Sequence, residues 1–78
     1  MAVQAYVLVQ TDVGKAAEVT RLVREIDGVV SAENVTGPYD VIALLEADSI
    51  DEAGRLVVSK VQRIDGITRT VTCPVVNL

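Results

Sequence analysis

The sequence predicts an α+β domain of the ferredoxin-like kind, an α/β-plait with the element order βαββαβ. Three observations carry that prediction. Apolar residues recur with period two, then at three- and four-residue steps, and this alternation occurs twice along the chain. The two halves also repeat: Ile26-Asp27-Gly28-Val29 matches Ile64-Asp65-Gly66-Ile67, 38 positions on. At the same shift Val3, Ala5, Val7 and Val9 fall on Val41, Ala43, Leu45 and Ala47. Two strand–helix–strand halves with right-handed crossovers give a four-stranded antiparallel sheet of order 4-1-3-2, with both helices on one face.

Each element has its own signal. From Val3 to Gln10 the chain alternates, Val3, Ala5, Val7 and Val9 against Gln4, Tyr6, Leu8 and Gln10, which is a strand pattern. Thr11 and Asp12 offer caps and Gly14 a turn. Over Lys15–Asp27, Ala16, Val19, Leu22 or Val23, and Ile26 form an apolar stripe opposite Lys15, Glu18, Arg21, Arg24 and Glu25, an amphipathic helix. Gly28 is placed to end it in a left-handed cap. Val29–Thr36 reads as the second strand and Val41–Ala47 as the third, joined by a hairpin around Gly37 and Pro38. Asp48 and Ser49 offer caps for a second helix over Ile50–Ile64, whose stripe is Ile50, Ala53, Val57, Val61 and Ile64. Gly54 lies near its start and weakens the first turn by about 1 kcal/mol relative to alanine. Gly66 repeats the role of Gly28. Ile67–Cys73 is the fourth strand, with Thr68, Thr70 and Thr72 alternating against Arg69, Val71 and Cys73, and Pro74 belongs at its end or on an edge.

Composition bounds the function. The 78 residues suffice for one domain spanning 1–78. A core this small is marginal and is usually reinforced by a disulfide, a metal or a partner subunit. Cys73 is the sole cysteine, so no internal disulfide forms, and there is no histidine and no cysteine cluster to hold zinc. Self-association is the remaining route. The net charge of −4 opposes a sequence-independent grip on nucleic acid and an electrostatic membrane anchor. No apolar run reaches the roughly 18–20 residues of a membrane span. The lone thiol and the absence of an export signal point to the cytoplasm.

The sheet face away from the helices is the most informative surface. Tyr6 and Leu8 on the first strand and Ile42 and Leu44 on the third would occupy its centre, with Gln4, Gln10 and Glu46 at its ends. A solvated antiparallel face alternates to polar residues, whereas this one is apolar in the middle. The four residues therefore predict a sheet-to-sheet dimer, the simplest arrangement being two-fold. Covering roughly 300–400 Å² of apolar surface per subunit contributes roughly 8–10 kcal/mol before association costs. That is comparable with the whole stability of such a domain.

Chemistry-bearing residues are few. Without histidine there is no Ser-His or Cys-His pair, and neither a P-loop nor G-x-G-x-x-G is present. Cys73 reads as a buried, inert thiol, no cofactor is implied, and the chain is not expected to be an enzyme. Asp27 and Asp65 belong to the helix-end turns. One constellation stands apart, Thr36-Gly37-Pro38-Tyr39-Asp40 in the hairpin. Opened backbone amides suit a carboxylate, Asp40 an ammonium group, and Tyr39 offers a flat wall with a hydroxyl. On spacing alone the alternative, a Gly-Pro turn with Asp40 as its cap, stands equally open.

The same residues carry a family resemblance. Val35-Thr36-Gly37-x-Tyr39-Asp40 before an apolar strand, together with Ile64-Asp65-Gly66-Ile67 leading into Thr70-x-Thr72, resembles the effector (RAM) domain of the Lrp/AsnC, or feast/famine, transcription regulators. The likeness runs from Val3 to Val76. It implies dimers packed through their sheets, rings of dimers, and an amino acid or related metabolite bound between dimers. By that resemblance Gly37, Tyr39 and Asp40 line the pocket with Thr70 and Thr72 opposite. Asp40 would take the ligand amine, and backbone amides and threonine hydroxyls the carboxylate. Pro38 removes one N–H donor from the loop. Family members usually carry a helix-turn-helix unit before this module, and here the first strand begins beside Met1. The expectation is a stand-alone sensing module that modulates regulators or metabolic enzymes by co-assembly, with full-length Lrp/AsnC regulators as partners and no direct DNA contact. The competing readings are a small dimeric α+β-barrel enzyme of monooxygenase or isomerase type, an ACT-like regulatory domain, and a purely structural assembly unit.

Overall fold

A computed structural model describes residues 2–78. The strands are β1 (Val3–Thr11), β2 (Val29–Asn34), β3 (Val41–Ala47) and β4 (Ile67–Pro74); the helices are α1 (Ala16–Arg24) and α2 (Ile50–Leu56). All pairings are antiparallel and the sheet order is β2-β3-β1-β4, the expected order read from the other edge. The period-two residues do what alternation requires. Ala5, Val7 and Val9 of β1 and Val41, Ala43 and Leu45 of β3 are buried under the helices. Val19 and Val23 of α1, Ala53 of α2, and Val57 and Val61 just beyond it close that core from above. Thr20 is the one buried polar residue among those described, and its hydroxyl is matched by Asn34 Oδ1 of β2.

The internal repeat extends to backbone detail. Gly28 and Gly66 have φ of 97° and 98°. Ile26 and Ile64 each bond back three residues, to Val23 O and Val61 O, both at 3.1 Å. Each following strand then carries a bulge, at Val30 in β2 and Thr68 in β4, the same place in the two halves. Glycine is needed at both turns, because L side chains avoid this φ and an added Cβ lacks room. At Gly28 it would stand 3.0 Å from Leu56 Cδ2 and 3.3 Å from the Glu46 carbonyl; at Gly66, 3.0 Å from Lys15 Cβ.

Several expectations are corrected. α1 stops at Arg24 rather than Asp27, its last turn tightened by Glu25 N–H to Leu22 O (3.2 Å). Thr11 and Asp12 do not cap it. Thr11 still belongs to β1, while Asp12 N–H donates to Gly66 O (2.7 Å) and its carbonyl accepts from Lys15 (3.0 Å). Ser49 does cap α2, accepting from Glu52 N–H at 3.1 Å. The second helix is not uniform to Ile64: α-helical bonding ends at Leu56, and Val57–Val61 forms a π turn in which Gln62 N–H reaches back five residues to Val57 O (2.8 Å). Ile50 is exposed, because it opens α2 past the end of β3. β2 ends at Asn34, where the hairpin begins. Cys73 is exposed rather than buried, since it pairs with Tyr6 on the side of the sheet that has no helices. Pro74 ends β4, an edge strand, as its missing N–H demands.

At the other edge, Arg24 reaches over β2. Its Nε donates to the Ala32 carbonyl at 2.9 Å and its Nη2 lies 3.6 Å from Glu33 Oε2.

Leu45 is a large, fully buried side chain at the centre of the core. Leu45→Ala is expected to lower unfolding stability by about 2–5 kcal/mol, measured by urea denaturation, through lost burial and the cavity left behind.

Candidate functional site

Two surfaces hold the candidate residues. The first is the sheet face without helices. Tyr6 lies opposite Leu44 and Leu8 opposite Ile42 across β1 and β3, so the four predicted residues form two adjacent cross-strand pairs. Leu8 also pairs with Val71 of β4, which enlarges the patch by a residue the sequence reading left out of it. Tyr6 is 45% exposed, and Leu8, Ile42, Leu44 and Val71 are half-buried by one another. Polar residues ring this centre. Gln4 donates to Glu46 at one end (3.3 Å), Gln10 and Arg69 pair at the other, and Ser31 and Glu33 stand on β2. An apolar centre inside a polar rim is the anatomy of a protein interface.

The second surface is the hairpin between β2 and β3 with the strand ends beside it. Gly37 has φ 135°, a conformation that favours glycine and holds the loop open. Tyr39 and Asp40 are half-buried behind it. Asp40 makes four hydrogen bonds to three residues on two segments, β1 and the end of the β2 arm of the hairpin. Its carbonyl accepts from Val35 N–H (2.9 Å), and its own N–H donates to Val9 O (2.9 Å). Its Oδ2 accepts from Thr11 N–H (2.8 Å) and the Thr11 hydroxyl (3.2 Å). Asp40 therefore closes the hairpin through its main-chain carbonyl, while its side chain ties to the end of β1 instead of capping the turn. Both side-chain bonds fall on Oδ2 and leave Oδ1 outside them, so an acceptor oxygen is still available for an ammonium group.

Thr70 and Thr72 pair with Val9 and Val7, which places them on the helix side of the sheet, along the β4 edge. The hairpin and the first half of β4 thus lie at the same end of the sheet, on either side of β1. One subunit does not bring the two sets into a common pocket. The concavity at the β4 edge, about 170 Å³, is lined by Gln62, Ile67, Thr68, Arg69 and Thr70, with no hairpin residue among them. Gln62 Nε2 donates to Thr70 Oγ1 at 2.9 Å, and the Thr68 hydroxyl lies 3.2 Å from Gln10 O. The sequence reading missed Thr11 and Gln62. Thr11 was visible only as a cap, and the π turn that moves Gln62 has no period of its own. No cluster of metal-ligating side chains is found among the described residues, and no helix is long and apolar enough to cross a membrane.

Comparison with known proteins adds three findings. Residues 4–77 match the family described as the Lrp/AsnC ligand binding domain. An uncharacterized HTH-type transcriptional regulator of Pyrococcus furiosus is 31% identical over 71 residues, covering 87% of this chain and 47% of its own length. The chain therefore spans about half the length of that curated relative. Among solved structures, one from Thermus thermophilus superposes with a TM-score of 0.91 at 25% identity, covering 97% of this chain and 95% of the other. A Neisseria meningitidis transcriptional regulator solved as its L-Met complex shares the fold, with a TM-score of 0.84 at 19% identity, covering 96% of this chain and 50% of its own.

Asp40→Ala removes the acceptor of the half-buried Thr11 N–H. It is expected to cost about 1–3 kcal/mol in thermal or chemical unfolding, against about 0.5–1.5 kcal/mol for Thr11→Val, which loses the hydroxyl bond alone.

Proposed function

The chain belongs to the Lrp/AsnC ligand-binding domain family, and from that premise we propose that it is an oligomeric amino-acid sensor that acts by co-assembly rather than by contacting DNA. Family and relatives are those of a ligand-sensing regulatory domain. The finer reading is ours, and the open sheet face carries it. Tyr6, Leu8, Ile42, Leu44 and Val71 sit inside a polar rim, which suits a second copy packed sheet to sheet. The ligand is an amino acid or a related small metabolite. The neisserial fold neighbour was solved with L-Met, which supports that class.

In this reading Gly37, Tyr39 and Asp40 of one dimer meet Thr70 and Thr72 of the next. The separation of the two sets within a subunit favours such a shared pocket. Asp40 Oδ1 receives the ammonium group; open hairpin amides and threonine hydroxyls receive the carboxylate, with Pro38 contributing no N–H. Assembly and binding are then one equilibrium, because the pocket exists only where dimers meet. The partners are further copies of the chain and full-length Lrp/AsnC regulators, whose own DNA-reading units would supply the contact with DNA that a net charge of −4 disfavours here.

Isothermal titration of the intact protein with the twenty amino acids, one at a time, is expected to give saturable heat with at least one. Asp40→Asn should weaken that binding about tenfold or more, the loss expected on removing one charge-assisted bond. Absence of heat with every amino acid overturns the reading. Sedimentation velocity of Ile42→Lys is expected to show monomer where the wild type sediments as dimer or larger, and a wild-type monomer at micromolar concentration overturns the interface.

A further inference from the structure

We propose that Gln62 is a positioning residue that fixes the Thr70 hydroxyl as a hydrogen-bond donor toward the ligand carboxylate. This rests on the sensing reading above and extends it to a residue outside the hairpin and the threonine row.

The π turn is the starting observation. In an uninterrupted α-helix Gln62 would lie about 140° around the axis from the buried Val57 and point to solvent. The bond from Gln62 N–H to Val57 O (2.8 Å) instead seats it a turn above Val57, on the side facing the sheet. The shifted ladder is supported one turn earlier by the Ser59 hydroxyl, which donates to the Arg55 carbonyl at 2.6 Å. From there the Gln62 amide spans to β4 and donates to Thr70 Oγ1 at 2.9 Å. Isolated π turns in helices are frequent at functional sites, because they re-aim one side chain without rebuilding the helix.

The direction of that bond has a chemical consequence. A threonine hydroxyl has one hydrogen to give and two lone pairs. Gln62 occupies a lone pair with an N–H, so the hydroxyl hydrogen has no acceptor on that nitrogen and is left for another partner. The concavity beside it is lined by Gln62, Ile67, Thr68, Arg69 and Thr70, with no acidic residue among them. A free O–H donor with no carboxylate beside it suits an anionic oxygen and disfavours an ammonium group. The amine is thereby left to Asp40 of the hairpin, and the β4 edge contributes a donor to the carboxylate only.

The test is a double-mutant cycle read by isothermal titration. The amino acid that binds the wild type most tightly is titrated into Gln62→Ala, Gln62→Glu, Thr70→Val and the Gln62→Glu/Thr70→Val double variant. Gln62 is exposed, so its replacement removes no core contact, and circular dichroism verifies the fold of each protein. A glutamate at this position accepts from the Thr70 hydroxyl and reverses the bond. Gln62→Glu is therefore expected to weaken binding about tenfold, close to Thr70→Val, and Gln62→Ala only about threefold. In the Thr70→Val background Gln62→Glu should add less than threefold, since the hydroxyl it would capture is gone. If Gln62→Ala and Gln62→Glu bind like the wild type, or if the glutamate and valine effects multiply in full, the positioning role is wrong while the sensing reading stands. If no amino acid binds the wild type, the sensing reading falls and takes this assignment with it.

Discussion

Everything in this domain depends on the register of β1 against β3. Both strands are apolar on both sides, so hydrophobic pattern alone does not choose between Val9↔Val41 and a slipped alternative as sharply as a polar–apolar strand would. A slip of one residue would turn one of the two strands over, putting either Tyr6 and Leu8 under the helices with Val7 and Val9 outward, or Ile42 and Leu44 under them with Val41 and Leu45 outward. Volume argues against that exchange: alanines at positions 5 and 43 let α1 and α2 approach the sheet closely, and larger side chains there would hold the helices off. Asp40 adds a polar lock. Its bonds to Val9, Thr11 and Val35 tie the start of β3 to β1 and β2 at one defined offset. The residue that the ligand-binding reading singles out is thus also a pin of the fold.

The two sides of the sheet differ in how far one chain covers them. The helix-covered side is complete within a single chain. The other side leaves an apolar centre uncovered, and the candidate ligand residues lie at the end of the sheet where the hairpin and β4 leave unfinished edges. A domain of this size has little stability in reserve. In the assembly proposed above, coupling to the ligand would let a small molecule exert a large effect, because a contact that completes an interface acts on a whole oligomer and not on one loop.

Much of this was legible in the sequence for a physical reason. Period two and the three–four step are direct imprints of strand and helix geometry, and the repeated Ile-Asp-Gly element marked both helix-to-strand turns, where positive-φ glycines and matching bulges stand, although the helices themselves end before it. The order of the sheet followed from the handedness of the crossovers. What stayed hidden was set by bonds between distant residues. Thr11 and Asp12 resembled a cap, but the β1 end is held by Asp40 and Gly66. Cys73 looked like a core thiol because cysteine usually is one; only the pairing with Tyr6 revealed its outward face. The π turn is invisible to periodicity because Val57 and Val61 keep the four-residue spacing of an ordinary stripe while the backbone beneath them changes its bonding. Gln62 is displaced by that change alone.

One contact at the far edge bears on whether a second chain can add to the sheet there. β2 is an outer strand, and along it the inward bonds alternate from the Val35–Asp40 pair, which leaves the Ala32 carbonyl on the outer side. Arg24 already occupies that carbonyl and brings a cation and its Glu33 partner to the rim. A strand arriving from another molecule finds the acceptor taken and a charge in its path. Edge-on growth into continuous ribbons, the route to fibrils, is thereby discouraged at this strand.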